Sequence, residues 1–240
     1  WAISPKHLFA DNLKDELWLV AGGVFGGSLY FFTENTALGI TQASNVAFII
    51  CTAPLLTTIL SLLFYKSEKA TKGLIYGSLL ALIGVGLVVF NGSVVLKLSP
   101  VGDLLTLLAA LSWAFYSLVI KRMTGRYPTV FITRKIFFYG VLTILPAFLL
   151  HPLQPDFDVL LQPLVLSNLL FLAVLASLIC YILWNVVLKQ LGTMRASNYI
   201  YLNPLVTMVA SVLILHEQIT WITLMGAACI ILGVYLAEKK

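Results

Sequence analysis

Glu34 is the one acidic residue well inside a long apolar run. An ionisable group in such a place is costly and is often there for function. It could carry a coupling proton, or its carboxylate could reach the nearby membrane interface. Asn35, its neighbour, has a counterpart in Asn185, 150 residues later. Such amides line a cavity or tie helices together, a hydrogen bond between membrane helices contributing about 0.6–2 kcal/mol. Pro54 and Pro204 fall in the middle of apolar runs. Each lacks an N–H, so the carbonyls of Ile50 and Ile200 lose their helical partner. A kink with freed carbonyls suits a cavity wall or a gate, and a static packing bend is the alternative. Asn45, Asn198 and Asn203 add polar groups nearby. Trp113 lies near the middle of a run, with Tyr116 three residues on along the same helical face. It could stack on a substrate or fill the core. Trp184, Tyr199 and Tyr201 fall near run ends, where an aromatic belt is expected.

Other chemistries find no support. Cys51, Cys180 and Cys229 lie in different runs without metal or redox spacing and read as buried free thiols. His7, His151 and His216 are far apart and fall at loops or run ends. No His/Asp/Glu cluster suggests a metal, no Ser/His/Asp set is evident, and no phosphate-cradling glycine loop is present. No cofactor, metal or nucleic acid is expected.

These residues sit in a chain with 60% hydrophobic and only 10% charged residues. Soluble domains carry roughly 25% charged residues, so this chain cannot clothe a water-facing surface and reads as an integral membrane protein. Eight apolar runs reach the length a bilayer demands: 17–38, 44–65, 73–91, 101–121, 132–150, 166–188, 197–215 and 221–237. They are continuous rather than alternating, which points to helices and away from a barrel. The expected fold class is therefore an all-α, multi-pass membrane bundle.

Charge gives the orientation. Of 15 Lys and Arg, all but Lys97 fall on one side of this arrangement. Basic loops stay in the cytoplasm, so the C-terminus is expected inside a cell (inner) membrane.

The chain also repeats itself. Glu68, Gly77 and Gly84 recur as Glu217, Gly226 and Gly233 with the same internal spacing. Pro54 and Pro204 precede these groups at nearly equal distances. Units of five helices invert each successive copy, giving two repeats of opposite orientation over 1–95 and 96–240. The first unit holds only three runs, so the sequence reads as an N-terminally truncated ten-helix protein lacking roughly fifty residues. Inverted repeats commonly enclose a transport site.

The ordered set of motifs resembles the drug/metabolite transporter superfamily, in its EamA-type permeases. Leu111-Ser112-Trp113-Ala114-Phe115-Tyr116, ending in Lys121-Arg122, looks like the opening helix of that family's second repeat. Ala196 to Pro204, then Glu217 and Gly226, looks like its ninth helix and the start of its tenth. Asn35-Thr36-Ala37-Leu38, Pro54 and Gly77 to Gly84 fit its third to fifth helices. The resemblance implies a ten-helix bundle around a central cavity and a secondary transporter working by alternating access. The substrate would be a small metabolite, an amino acid or related compound, moved by export; protons as a coupling ion are the expectation attached to Glu34 alone. Two other classes compete. A membrane enzyme on lipid-linked substrates would want several acids and histidines at one depth, where the sequence offers Glu34 and Asp103. A non-transporting scaffold would need neither.

Overall fold

A computed structural model of the chain describes residues 8–65, 69–90, 99–147, 156–215 and 220–239. Glu68, Glu217, Lys97 and the three histidines lie outside the described residues. Among the described residues every regular element is helical.

Eight helical bodies follow the eight apolar runs. Helix α1 (13–40) joins Leu13–Gly23, a wider π-turn at Val24–Ser28 and Leu29–Ile40. Its start is fixed by Asn12, whose side-chain oxygen accepts the Asp15 N–H at 2.8 Å. Helix α2 (Ala43–Phe64) breaks into Ala43–Ile50 and Ala53–Phe64. Helix α3 is Lys72–Phe90 and α4 is Pro100–Thr124, which opens on a proline and closes on Lys121 and Arg122, as the helix dipole favours. Helix α5 is Thr129–Ile144. After one helical turn at Phe157–Leu160 comes α6 (Pro163–Leu191), with a π-turn at Phe171–Ile179. Helix α7 (193–215) joins Thr193–Asn198, a 3-10 stretch at Tyr199–Leu202 and Asn203–Leu215. Helix α8 is Trp221–Glu238.

Five of these, α2, α3, α4, α6 and α8, are long and apolar enough by themselves to cross a bilayer. Hydrophobic side chains crowd the outer face of the bundle, including nearly every residue of α6 from Leu164 to Ile179. That surface is stable only against lipid or protein.

The proline expectation takes a specific form. Neither Pro54 nor Pro204 sits inside a regular α-helix. Each occupies the first turn of a new helical segment, where a missing N–H costs nothing. The chain bends just before each. Thr52 donates both its N–H (2.9 Å) and its hydroxyl (2.7 Å) to the Ile49 carbonyl. In α7 the Ile200 carbonyl, which Pro204 cannot serve, takes the N–H of Asn203 instead.

Helix α4 is the central post: α1, α2, α5 and α6 all pack on it. Tyr116, Ile120 and Met123 on α4 are fully buried, with Leu19, Ile132, Ile136 and Leu188 around them. To one side α3 and α8 form an antiparallel pair through glycines. Gly77 lies against Gly233, and Gly84 against Gly226, with no room for a Cβ at any of the four. Close backbone approach of this kind is how membrane helices gain packing when water supplies no driving force.

Candidate functional site

Five aromatic rings from α1, α4 and α6 meet at mid-bundle. On α4, Trp113 and Tyr116 share a face, and on α6 Tyr181 and Trp184 do the same. The Trp113 ring lies 5.1 Å from Tyr116, 5.8 Å from Tyr181, 6.1 Å from Trp184 and 5.1 Å from Tyr30 on α1. Tyr116 and Tyr181 are buried, whereas Tyr30, Trp113 and Trp184 keep part of their surface accessible. The Tyr30 hydroxyl donates to Glu34 Oε1 at 3.1 Å. Glu34 is therefore held at the rim of the ring cluster. No Lys, Arg or His among the described residues forms an ion pair with it.

Hydrogen bonds fix the cluster from behind. Tyr116 donates to Asn185 Oδ1 at 2.7 Å, and Asn185 Nδ2 donates to Thr133 Oγ1 on α5 at 2.9 Å. Asn185 is fully buried and so ties α4, α5 and α6 together. The π-turn of α1 supplies two more anchors. Its wider ring of i→i+5 bonds presents the carbonyls of Phe25 and Gly26 sideways. Ser112 donates to the first at 2.8 Å and Tyr181 to the second at 2.7 Å. The indole N–H groups of Trp113 and Trp184 are shielded from water and have no acceptor among the described residues.

The sequence-predicted residues thus divide. Glu34, Trp113, Tyr116 and Asn185 converge on one site. Asn198 lies elsewhere, fully buried, accepting from Ser78 at 2.9 Å and tying α7 to α3. Asn45 is buried on α2, and Pro54 and Pro204 are buried beside their bends. Asn35 and Asn203 are exposed. Asn35, despite its match to Asn185, points away from the rings, because Tyr30 and Glu34 take the inward face of that helix. Tyr201 and Trp184 are not belt residues: Tyr201 is fully buried, and Trp184 is in the ring cluster. Nor are all the cysteines buried, since Cys180 is exposed on α6.

A second polar centre was not foreseen. At the end of the bundle where α1 begins, Asp15 accepts two hydrogen bonds from Arg126 Nη1, at 2.9 and 3.0 Å, and one from the Tyr127 hydroxyl at 3.1 Å. Beside it, Glu16 receives Lys135 and the Tyr139 hydroxyl from α5, and the Ala10 N–H at 2.6 Å. Both acids precede the 17–38 run. Burial works to raise the Asp15 carboxyl, but the hydrogen bonds from Arg126, Asn12 and Tyr127 outweigh it and hold it below the usual carboxylate range. Glu16 is likewise lowered: burial opposes the charge, and Lys135, Tyr139 and the Ala10 N–H more than offset that. The basic residues here looked like orientation signals alone, because their acidic partners lie more than a hundred positions away in sequence.

Comparison with known proteins follows the same lines. The EamA-like transporter family model matches residues 1–90 and 100–238. An "Uncharacterized transporter" of Archaeoglobus fulgidus is 26% identical over all of this chain and 82% of its own length. The "Uncharacterized transporter YyaM" of Bacillus subtilis is 30% identical over 97% of this chain and 75% of its own. A "Probable amino-acid metabolite efflux pump" of Salmonella typhimurium is 27% identical over 97% of this chain and 80% of its own. A protein of known crystal structure superposes with a TM-score of 0.75 at 20% identity, covering 92% of this chain and 75% of that one, and so shares the fold. These relatives are transporters and pumps rather than enzymes. The chain, an all-helical multi-pass membrane protein, belongs to the EamA-like transporter family.

Proposed function

We propose that the protein is a secondary transporter that moves a small metabolite, an amino acid or related compound, by alternating exposure of the ring-lined site. The observation that carries this reading is a set of paired irregularities. The π-turn of α1 at Val24–Ser28 has its counterpart in the π-turn of α6 at Phe171–Ile179. The bend before Pro54 in α2 has its counterpart in the bend before Pro204 in α7. Irregular backbone is costly in a membrane and persists where it lines a cavity or a moving joint. The glycine contacts of α3 and α8 exchange in the same sense. All three pairings support two inverted repeats, 1–95 and 96–240, with the site between them.

Glu34, Trp113, Tyr116 and Asn185 form the inner wall of the substrate pathway. Asn45, Pro54, Asn198 and Pro204 belong to the α2/α7 joint, and Asn35 and Asn203 to its approaches. The end that carries Asp15 and Arg126 faces the cytoplasm, as does the C-terminus. Export is favoured by the efflux pumps named among the relatives. Protons are the coupling ion, carried by Glu34.

Transport into inside-out membrane vesicles tests this. With a mixture of radiolabelled amino acids and an imposed proton gradient, vesicles holding the protein accumulate label above vesicles without it. Equal accumulation for every amino acid and for its close metabolites would refute the reading.

A further inference from the structure

The ring cluster offers more than a pathway wall. Glu34 is a carboxylate in a membrane helix whose described hydrogen-bond partner is a neutral hydroxyl, that of Tyr30 at 3.1 Å. A membrane-embedded carboxylate without a cation is neutralised by a proton or by a positively charged ligand. Two features beside it select the ligand. Tyr30, Trp113 and Trp184, which keep part of their surface accessible, carry ring quadrupoles with negative faces, which attract an ammonium group and repel an anion. The two described cations that form ion pairs, Arg126 and Lys135, are committed to Asp15 and Glu16 at one end of the bundle.

We infer that Glu34 and the rings of Tyr30, Trp113 and Trp184 form a binding site for the positively charged head of an organic ammonium compound. Tyr30 positions the carboxylate by its hydrogen bond and lends its ring to the same box. Tyr116 and Tyr181 stand behind, buried, and hold Trp113 in place. The site is an aromatic cage with one acidic corner, the arrangement that general chemistry prescribes for quaternary and primary ammonium groups. This assignment rests on the transport reading for its purpose but not for its test, which reads binding alone.

The test uses the protein in lipid nanodiscs with three probes of similar size: benzyltrimethylammonium, benzyl alcohol and phenylacetate. Binding is followed by calorimetry and by tryptophan emission. Benzyltrimethylammonium binds saturably and shifts the emission, whereas the neutral and anionic probes do not. Glu34→Gln weakens the cation at least about tenfold, and Glu34→Asp restores part of that loss. Trp113→Leu and Trp184→Leu each weaken it roughly three- to thirtyfold, the range of a desolvated cation–π contact. Tyr30→Phe, which keeps the ring, weakens it less than either. Equal affinity for phenylacetate, or unchanged cation affinity in Glu34→Gln, overturns the inference. If Glu34→Gln does not fold, unchanged affinity in both tryptophan variants overturns it. Cation binding in a protein that moves nothing would refute the transport reading and leave this site standing. Vesicle accumulation without cation binding would do the reverse.

Discussion

Gly84 on α3 and Gly226 on α8 leave each other no room. A Cβ on Gly84 would lie 2.6 Å from the Gly226 carbonyl oxygen, and one on Gly226 would lie 2.8 Å from that of Gly84. The obstacle on each side is backbone, which cannot rotate away. Gly84→Ala and Gly226→Ala are each expected to destabilise the protein by about 1–3 kcal/mol, the cost of overpacking. Thermal unfolding in detergent checks this. Gly39→Ala is the control, since a Cβ there meets open space. Equal melting of all three variants would mean that the helix pair adjusts without penalty.

Asn185 and Asn35 occupy matching positions but carry different loads. Asn185→Ala strands the Tyr116 hydroxyl in the interior, whereas the Thr133 hydroxyl keeps its bond to the Thr129 carbonyl. The expected loss is about 1–3 kcal/mol for buried groups left without partners. Asn35→Ala, on an exposed face, should stay within about 0.5 kcal/mol of the parent. The same melting experiment reads both, and a larger loss at Asn35 would contradict the geometry.

Acid should loosen the end where α1 begins. The Asp15 and Glu16 carboxyls are lowered in the folded protein relative to their ordinary values of about 3.9 and 4.3. The unfolded chain therefore takes up protons first as pH falls. The stabilisation is fully present above the unfolded values and is lost as pH drops through the folded ones. Melting temperature is expected to be flat from about pH 6 to 8 and to fall below about pH 4. Asp15→Asn and Arg126→Ala should both lower the plateau and shrink the acid-side fall. An unchanged profile in Asp15→Asn would remove the carboxylate from the account.

The bends before Pro54 and Pro204 should matter for movement more than for assembly. Replacing both prolines by Ala restores two N–H groups and lets α2 and α7 run straight. Expression should change little, and vesicle flux should slow several-fold. Parent-level flux in the double variant would leave the bends as packing features.

Orientation can be read directly. In a cysteine-free background, Ser99→Cys and Asp156→Cys should react with an impermeant maleimide on intact cells, and Lys239→Cys should react only after permeabilisation. A labelled tail on intact cells would reverse the proposed topology.

The long helices were legible because a bilayer permits few alternatives: each apolar run of about 20 residues must close its own hydrogen bonds. The bends at Pro54 and Pro204 were legible because proline has no N–H, although nothing in the sequence sets each proline one residue into a new segment. Glu34, Trp113, Tyr116 and Asn185 could be singled out by type, but nothing in their spacing says that they meet. Trp184 went unrecognised as a site residue because a ring near the end of an apolar run looks like an interfacial anchor, and Tyr181 carries no sequence signal that sets it apart from the apolar residues around it. The π-turns left no signal at all. No residue type encodes an extra residue in a helical turn, and Val24–Ser28 reads as ordinary helix. The pairing of Asp15 with Arg126 was hidden for a different reason, since contacts so far apart in sequence leave no periodicity.

The π-turn of α1 sets the angular phase of everything beyond it. A turn that holds one extra residue rotates the following segment by about 100° relative to an unbroken α-helix. Leu29–Ile40 owes to that offset the heading that puts Tyr30 against Trp113 and Glu34 at the rim. Deleting a single residue within Val24–Ser28 would leave composition and hydropathy almost untouched and still form a helix. It would swing the carboxylate about a quarter-turn away from the rings. In this helix the count of residues, as much as their identity, writes the site.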